Sequence, residues 1–337
     1  MKILAFESSC DETAVAVVED GRKVLSDAIA SQADMHALYG GVVPEIASRK
    51  HVEVIAVLTE QALRQASCTR EDIDAVAVTY APGLIGAVLV GLSFAKSMAF
   101  ALGVPLIPVH HVRGHIAANY LTDPTLTPPF TALVVSGGHS HIVNVGNHTT
   151  FTVVGKTRDD AAGESFDKVA RVIGLGYPGG PKVEKAAATG NPSAIRFPRT
   201  HFADNEFDFS FSGIKTAVIN YVHNAQQTGA EINIPDVAAS FSAAVTEVLA
   251  DNATKAAARF NKKLVLAGGV AANGTLRKRL EKECKEKGVQ LFMPDLRYCG
   301  DNAAMIASQG YYEFLAGHTA DETLNAYANM SIEENPF

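Results

Sequence analysis

The stretch LAFESSCDETAVAVVED, residues 4–20, decides the fold that this sequence predicts. An apolar run leads into a short polar turn, and a second apolar run leads out of it. Residues 2–6 and 14–18 are therefore predicted to be strands, residues 19–21 to be a hairpin turn, and residues 24–31 to be a third strand.

The same pattern returns in ALVVSGGHSHIVNVGN, residues 132–147, with negligible sequence identity between the two copies. We therefore predict a duplicated α/β architecture, in which the Pro-rich residues 125–129 join the halves. The first lobe covers 1–126 and is completed by a C-terminal helix over 303–337; the second covers 127–302 and contains a loop-rich insertion over 155–235. Two such turns facing each other would form a cleft that holds phosphates.

The bulk composition is that of a globular protein with two sizeable cores: 337 residues, 47% hydrophobic and 19% charged. The net charge of −7 argues against a protein that coats nucleic acid through general electrostatics, but it leaves room for a local basic groove. The four cysteines are widely spaced, which indicates a reducing compartment and no zinc ribbon. The apolar stretch 84–109 contains Lys96, Gly103 and Pro105, so a buried helix and a strand are expected there rather than a membrane span. We expect a cytoplasmic protein without a signal peptide.

The stretch HHVRGH, residues 110–115, is the first candidate site. If it is helical, His111 and His115 lie on one helix face and can bind one metal ion; alternatively they are surface or capping histidines near a helix start. Asp301 is either the N-cap of the last helix or a third ligand, and such a set with open positions suits iron or zinc. The glutamate of the H-E-x-x-H metalloproteases is missing between the two histidines.

Three polar turns are candidate anion sites, although each is also explained as an ordinary turn or cap. The first is residues 8–13 with Asp11 and Glu12, the second is the glycine turn at 136–138, and the third is the glycine turn that precedes Asn273. Gly269 and Gly274 have the spacing of a P-loop, but Thr275 stands where its lysine would be, so a Walker A motif is rejected. Asn273 is either a helix N-cap or a ligand contact.

Taken together, these motifs are far more specific than any one of them. ESSCDETAVAV, GGVVPEIASRKH, HHVRGHIAA, LVVSGGHSHI, DDAAGESFDKVAR, YPGGP, DFSFSGIKT, GGVAANGTLR and CGDNAAMIA occur in this order. The chain closely resembles the TsaD family, once labelled O-sialoglycoprotein endopeptidases, over essentially its whole length. The resemblance implies the actin/Hsp70/sugar-kinase (ASKHA) fold, with two duplicated RNase H-like lobes around a cleft.

The resemblance also implies a function, which is the transfer of a threonylcarbamoyl group from threonylcarbamoyl-AMP to N6 of adenosine 37 in tRNAs that read ANN codons, with release of AMP. It implies one divalent metal per subunit, Fe²⁺ or else Zn²⁺, and Mg²⁺ is a further candidate that would accompany a nucleotide. The implied partners are tRNA, a degenerate paralogue of the same fold (TsaB-like) and a small P-loop ATPase (TsaE-like), with no membrane involved.

The residues that the resemblance assigns fall into three groups. His111, His115 and Asp301 are implied metal ligands, and Asp11 and Glu12 are first-turn acids with an electrostatic or proton-handling role. The implied contacts to the adenylate are Val134, Val135, Ser136, Gly137, Gly138, Asp167, Gly180, Glu184 and Asn273. The alternatives are a metal-dependent glycoprotein endopeptidase, a nucleotide-binding subunit of the same fold without catalytic activity, and a sugar or acid kinase.

Overall fold

In the computed structural model, which describes all 337 residues, ten strands and ten helices form two units. The first unit is Met1–Pro128, Val145–Thr152 and Pro294–Phe337, and the second is Pro129–Asn144 and Val153–Met293. The strands are β1 (Lys2–Glu7), β2 (Glu12–Glu19), β3 (Lys23–Ser31), β4 (Ala75–Ala81), β5 (Leu106–His110), β6 (Phe130–Val135), β7 (Ser140–Asn147), β8 (Thr150–Lys156), β9 (Lys263–Ala267) and β10 (Gln290–Phe292). The helices are α1 (Ala33–Ala37), α2 (Pro44–Gln65), α3 (Ile85–Leu102), α4 (His111–Thr122), α5 (Ala162–Val172), α6 (Gly179–Ala187), α7 (Ser212–Thr228), α8 (Ile234–Phe260), α9 (Gly274–Lys287) and α10 (Ala303–Leu315).

The sheet of the first unit has the strand order β3-β2-β1-β4-β5. Strand β1 pairs antiparallel with β2 and parallel with β4, as the predicted hairpin requires. The turn between β2 and β3 contains Asp20 and Gly21, both with positive φ, which is the backbone that a tight hairpin turn needs.

The two faces of this sheet are covered by different helices because strand residues alternate between faces. Leu4 and Phe6 of β1 face a core that α2 and α3 complete. Ile3 and Ala5 face the opposite side, where the sheet presents mostly alanines to α10. Small side chains let α10 lie close to the sheet.

Helix α3 is the one helix long and apolar enough to cross a bilayer, judged by length and composition alone. Its residues Ala87, Val88, Leu92 and Ala95 are buried within the first unit, where they pack in the core against the sheet. The predicted strand follows as β5, but the prediction of a buried helix holds for one face only, because Ile85, Leu89 and Phe100 are exposed.

The sheet of the second unit has the order β8-β7-β6-β9-β10. Numbered within each unit, both sheets therefore have the order 3-2-1-4-5, and β6, like β1, pairs parallel with the strand that follows in this order. The predicted duplication is confirmed. Helix α8 begins at Ile234 and is capped by Asn233, whose side chain accepts from the backbone N–H of Asp236.

The prediction of a C-terminal helix over 303–337 is wrong in length, because the helix is much shorter. Helix α10 ends at Leu315, and Gly317 follows with a φ of +84°, a conformation that terminates a helix. The segment from there to Phe337 contains neither helix nor strand. It is held by contacts to residues distant in sequence, and such a segment has no periodicity that sequence analysis could detect. The predicted insertion over 155–235 contains three helices, α5, α6 and α7.

Candidate functional site

Helix α4 carries the two histidines of the HHVRGH stretch. It begins at His111 because the side chain of His110 caps it, accepting from the backbone N–H of Val112 at 3.2 Å. His111 and His115 lie one helical turn apart, with ring centroids 4.7 Å from each other. Their exposed fractions are only 8% and 2%, so the alternative of two surface histidines is wrong.

Asp301 lies directly before α10 and faces both imidazoles. The N-cap of α10 is Asn302, whose side chain accepts from the backbone N–H of Met305 at 2.8 Å, so Asp301 is not needed as a cap. Its Oδ1 lies 3.2 Å from Nε2 of His115 and 3.6 Å from Nε2 of His111. One ligand atom from each of the three residues lies within 4.8 Å of the others.

The chemistry of this group fits a divalent metal ion. Both ring nitrogens of His115 are buried and have no hydrogen-bond partner. Buried polar atoms nearly always have a partner, and a metal ion at Nε2 would supply one. Two imidazoles and one carboxylate are donors that iron(II) and zinc accept, with coordination positions left for substrate.

Glu7, at the end of β1, orients His111 and was missed by the sequence analysis. Its Oε2 lies 2.9 Å from Nδ1 of His111 and accepts from the hydroxyl of Thr79 at 2.6 Å. Its Oε1 accepts from the backbone N–H of Ser9 at 2.6 Å. A carboxylate on the far nitrogen fixes the tautomer and the ring orientation of a metal-binding histidine. The available signal was a glutamate at the end of an otherwise apolar, central strand.

The electrostatics of the group are set by three neighbouring carboxylates in a buried setting, those of Glu7, Asp301 and Glu12. Burial opposes the charged imidazole, but Glu7 and Asp301 raise the pKa of His111 to about 9. Burial also favours protonated Glu7, yet the attraction of His111 and its hydrogen bond hold the pKa of Glu7 below its usual range. These carboxylates thus favour a positive charge at this group, either a proton on His111 or a metal ion that takes its place.

The first turn places Asp11 and Glu12 beside this group. Asp11 is buried, and Glu12 accepts a hydrogen bond from Ser31 at 3.0 Å. Burial, together with the charges of Asp301 and Asp11, raises the pKa of Glu12 to about 9. Burial and Asp11 also raise the pKa of the Cys10 thiol, so Cys10 is a poor nucleophile.

His51 of α2 holds this turn from behind. Its Nδ1 lies 2.7 Å from the hydroxyl of Thr13, and its Nε2 lies 2.9 Å from the carbonyl oxygen of Cys10. A neutral imidazole satisfies both contacts, accepting from the hydroxyl and donating to the carbonyl, and burial lowers the pKa of His51 accordingly. Sequence analysis gave no role to this histidine.

The second unit contains a separate pocket of about 180 Å³. Of the residues predicted to contact an adenylate, five line it: Gly137, Asp167, Gly180, Glu184 and Asn273. The wall also includes the ring of Phe166 and the apolar Val270. Carboxylates beside apolar walls and bare backbone suit a ligand with sugar hydroxyls and a flat ring.

Three of these side chains also hold backbone in place around the pocket. Asp167 accepts from the backbone N–H of Gly179 at 2.7 Å, and Glu184 accepts from that of Gly274 at 2.6 Å. Asn273 is the N-cap of α9 and accepts from the backbone N–H of Leu276 at 2.9 Å. The two interpretations of Asn273 are therefore compatible, since it caps the helix and lines the pocket.

The remaining predicted adenylate contacts lie close to this pocket without lining it. Val134 and Val135 are fully buried in β6, and the turn 136–138 follows them. The backbone of this turn is closely packed, because a Cβ on Gly163 would lie 2.5 Å from the carbonyl oxygen of Ser136. Of this turn, only Gly137 reaches the pocket wall.

The repeated sheets define the chain as a protein of the ASKHA class. The solved structure of HypF from T. kodakarensis superposes with a TM-score of 0.62 at 15% identity, covering 96% of this chain and 49% of that chain. At this identity the similarity shows the fold alone.

The family follows from sequence comparison. A family model described as TsaD, tRNA N6-adenosine threonylcarbamoyltransferase, matches residues 23–308. A relative from Clostridium botulinum (strain 657 / Type Ba4), named tRNA N6-adenosine threonylcarbamoyltransferase, is 55% identical over 335 residues, which cover 99% of this chain and 98% of that protein. A relative of the same name from Clostridium perfringens (strain ATCC 13124) is 54% identical over 333 residues, covering 98% of each chain. The chain belongs to the TsaD family of tRNA-modifying transferases.

Proposed function

We propose that this chain transfers the threonylcarbamoyl group of threonylcarbamoyl-AMP to N6 of adenosine 37 in tRNAs that read ANN codons. The observation that carries the proposal is the match at 55% identity over 99% of the chain to a relative named tRNA N6-adenosine threonylcarbamoyltransferase. The His111/His115/Asp301 group and the pocket that Asp167, Glu184 and Asn273 line are consistent with it.

The proposed reaction is an acyl transfer without a protein nucleophile. The N6 amine attacks the carbamoyl carbon, the bond from that carbon to the phosphate oxygen breaks, AMP leaves with the electron pair, and N6 loses a proton. Because AMP is a good leaving group, no covalent enzyme intermediate is needed, which agrees with the raised pKa of the Cys10 thiol.

In this proposal the second unit binds the adenylate. The carboxylates of Asp167 and Glu184 accept hydrogen bonds from the ribose hydroxyls, and Gly137 and Gly180 let the ligand approach bare backbone. Residues 134–138 shape the wall, and Asn273 holds the start of α9 against the ligand. Fixing the adenylate in this way supplies the orientation that acyl transfer requires.

We propose that His111, His115 and Asp301 hold a divalent metal, Fe²⁺ or Zn²⁺. When bound in such an open site, the metal supplies Lewis-acid polarisation of a carbonyl oxygen. Glu7 keeps the ring of His111 in position. Asp11 provides the negative charge or the proton acceptor near the reacting amine, and Glu12, with its pKa raised to about 9, holds a proton at neutral pH. Mg²⁺ would accompany the nucleotide.

The partners in this proposal are tRNA, a TsaB-like paralogue of the same fold and a TsaE-like P-loop ATPase, and the setting is the cytoplasm. The endopeptidase alternative is weakened by the missing glutamate. The position directly after the first histidine, where the H-E-x-x-H metalloproteases carry their catalytic base, is Val112.

The test combines the purified chain with both partner proteins, labelled threonylcarbamoyl-AMP and an A37 tRNA. We expect label in the RNA with the native chain, and a loss of roughly 100-fold or more with the His111→Ala/His115→Ala variant because the proposed metal ligands are gone. A Glu184→Ala variant should weaken adenylate binding. Unchanged transfer by the histidine variant would remove the metal from the mechanism, and no transfer with tight adenylate binding would favour the non-catalytic subunit.

A further inference from the structure

Arg113 occupies the middle of the histidine stretch, yet its side chain lies on the other side of helix α4. A residue two positions from His111 and two from His115 is rotated by about 200° from each of them. Arg113 is only 3% exposed. A buried guanidinium is costly unless its donors are paired, so its partners identify what this face of α4 is built to hold.

Most of the hydrogen bonds that Arg113 donates go to the irregular C-terminal segment. Nε and Nη2 of Arg113 donate to the carbonyl oxygen of Ile332 at 3.0 and 2.8 Å, and Nη2 also donates to that of Glu334 at 2.7 Å. The ring of Phe151 lies 4.8 Å from the guanidinium carbon. Two backbone carbonyls near the end of the chain thus fix the orientation of a charged group inside α4.

The remaining contact joins α4 to α10. Nη1 of Arg113 donates to Oε1 of Glu313 at 3.2 Å, and the side chains of this ion pair are 4% and 3% exposed. Glu313 lies on α10, the helix that Asp301 immediately precedes. The same arginine therefore ties the helix that carries two candidate ligands to the helix that follows the third.

Further contacts hold the C-terminal segment along its length. The backbone N–H of Ala320 donates to Leu106 at 2.9 Å, and that of Tyr327 donates to Tyr80 at 2.9 Å. Ile332 itself is only 2% exposed. The C-terminal segment is thus held both by the sheet and by Arg113, which distinguishes it from a frayed terminus.

We propose that Arg113 is a positioning residue for the His111/His115/Asp301 group, and that residues 332–337 act as a strap that locks its guanidinium. This inference rests on the proposed function only in that the three residues bind a metal. Loss of the strap leaves buried donors unpaired, so α4 shifts against α10 and the three ligands no longer converge.

The test uses the full chain loaded with Co²⁺, whose visible absorption reports ligand number and geometry. Three changes are compared: Arg113→Lys, removal of residues 332–337, and both together. The control is Arg259→Ala, which removes another ion-paired arginine beside an aromatic ring, at an exposed position on helix α8 of the second unit. Circular dichroism and thermal unfolding test whether each variant is folded. If a variant is not folded, Glu313→Gln is measured in its place.

We expect the truncated chain and Arg113→Lys to bind Co²⁺ about tenfold or more weakly in a chelator competition, with an altered Co²⁺ spectrum. The double change should add little to either single change, because both act through the same contact. If the folded variants bind Co²⁺ with native affinity and give the native Co²⁺ spectrum, the proposed role of the strap is wrong. If the native chain itself binds no Co²⁺, or binds it independently of His111 and His115, the metal site of the proposed function fails, and the strap with it.

Discussion

Asp27 is a buried carboxylate whose charge lowers the free energy of unfolding of this fold. It lies on β3, and the backbone N–H groups of Ala303 and Ala304, at the start of α10, donate to its carboxylate. Its Oδ1 is buried without a hydrogen-bond partner. Burial outweighs the helix N–H groups and raises the pKa of Asp27 to about 6.

The sign of the resulting pH dependence follows from this shift. The folded chain binds the Asp27 proton more tightly than the unfolded chain does, so stability falls as pH rises from about 4 to about 6 and stays lower above that range. A shift from 3.8 to about 6 corresponds to roughly 3 kcal/mol.

Asp27→Asn should therefore raise the free energy of unfolding by about 1–3 kcal/mol at pH 8 and leave it nearly unchanged at pH 4. The amide oxygen can still accept from the start of α10, while the buried charge is gone. Urea unfolding at both pH values measures the effect, and Asp34→Asn, at an exposed position of the same unit, is the control. An equal effect of Asp27→Asn at both pH values would contradict the explanation.

At this scale the sequence predicts residues whose spacing carries information and misses those whose role depends on tertiary contact. His111 and His115 are separated by one helical turn, and Asn273 precedes a helix, so both roles are readable in the chain. Glu7 contacts a histidine that lies 104 positions away in sequence. No local pattern marks such a pairing.

Among the elements, α10 packs closely because it lies against the alanine-rich face of the sheet. At Gly310 a Cβ would lie 2.9 Å from the Cβ of Ala77, an atom that cannot move without its strand. At Gly114 of α4 a Cβ would lie 2.7 Å from Cδ1 of Ile306, the mobile end of a side chain. The two contacts are similar in length but differ in what can give way.

We therefore expect Gly310→Ala to destabilise the chain by about 1–2 kcal/mol, despite the better helix propensity of alanine, because the helix must move away from the sheet. Gly114→Ala should be close to neutral, since its helix propensity gain of roughly 1 kcal/mol offsets a rotamer change in Ile306. Chemical unfolding of the two variants beside the native chain measures both values. Equal losses in the free energy of unfolding would show that the sheet moves as easily as the side chain of Ile306.

The elements themselves were largely predictable, and the exception is informative. Residues 2–6 and 14–18 alternate or are continuously apolar and form β1 and β2 as expected. The C-terminal segment after Leu315 was assigned to a helix and is irregular, because its conformation is imposed by Arg113, Tyr80 and Leu106. A segment held by partners distant in sequence has no period of its own.

For the whole molecule, the duplication was visible because the strand–turn–strand pattern repeats even where identity is lost. Its two sheets share one strand order, so the fold depends on the pattern of apolar runs more than on particular residues. The family was identified by particular residues instead, namely the motifs from ESSCDETAVAV to CGDNAAMIA in their order.

The charge of the whole chain bears on how it meets tRNA. There are 29 lysines and arginines against 36 acidic residues, giving a net charge of −7. Many of the cations are already paired, as in Arg158 with Asp208, Lys215 with Asp160 and Lys255 with Asp251. Cations that are already paired with carboxylates neutralise few phosphates, so few counterions leave the tRNA on binding and the electrostatic drive towards tRNA is small.

The isolated chain should consequently bind tRNA no more tightly than general non-specific binding, with a Kd of about 10⁻⁶ to 10⁻⁴ M near physiological salt. Adding the TsaB-like and TsaE-like partners should be required for efficient transfer to A37. Filter binding at about 50 and 200 mM salt, with the chain alone and with its partners, measures both affinity and salt slope. Nanomolar binding by the chain alone, with a steep salt slope, would mean that a concentrated basic surface outweighs the net charge, and the partners would then be needed for turnover rather than for capturing tRNA.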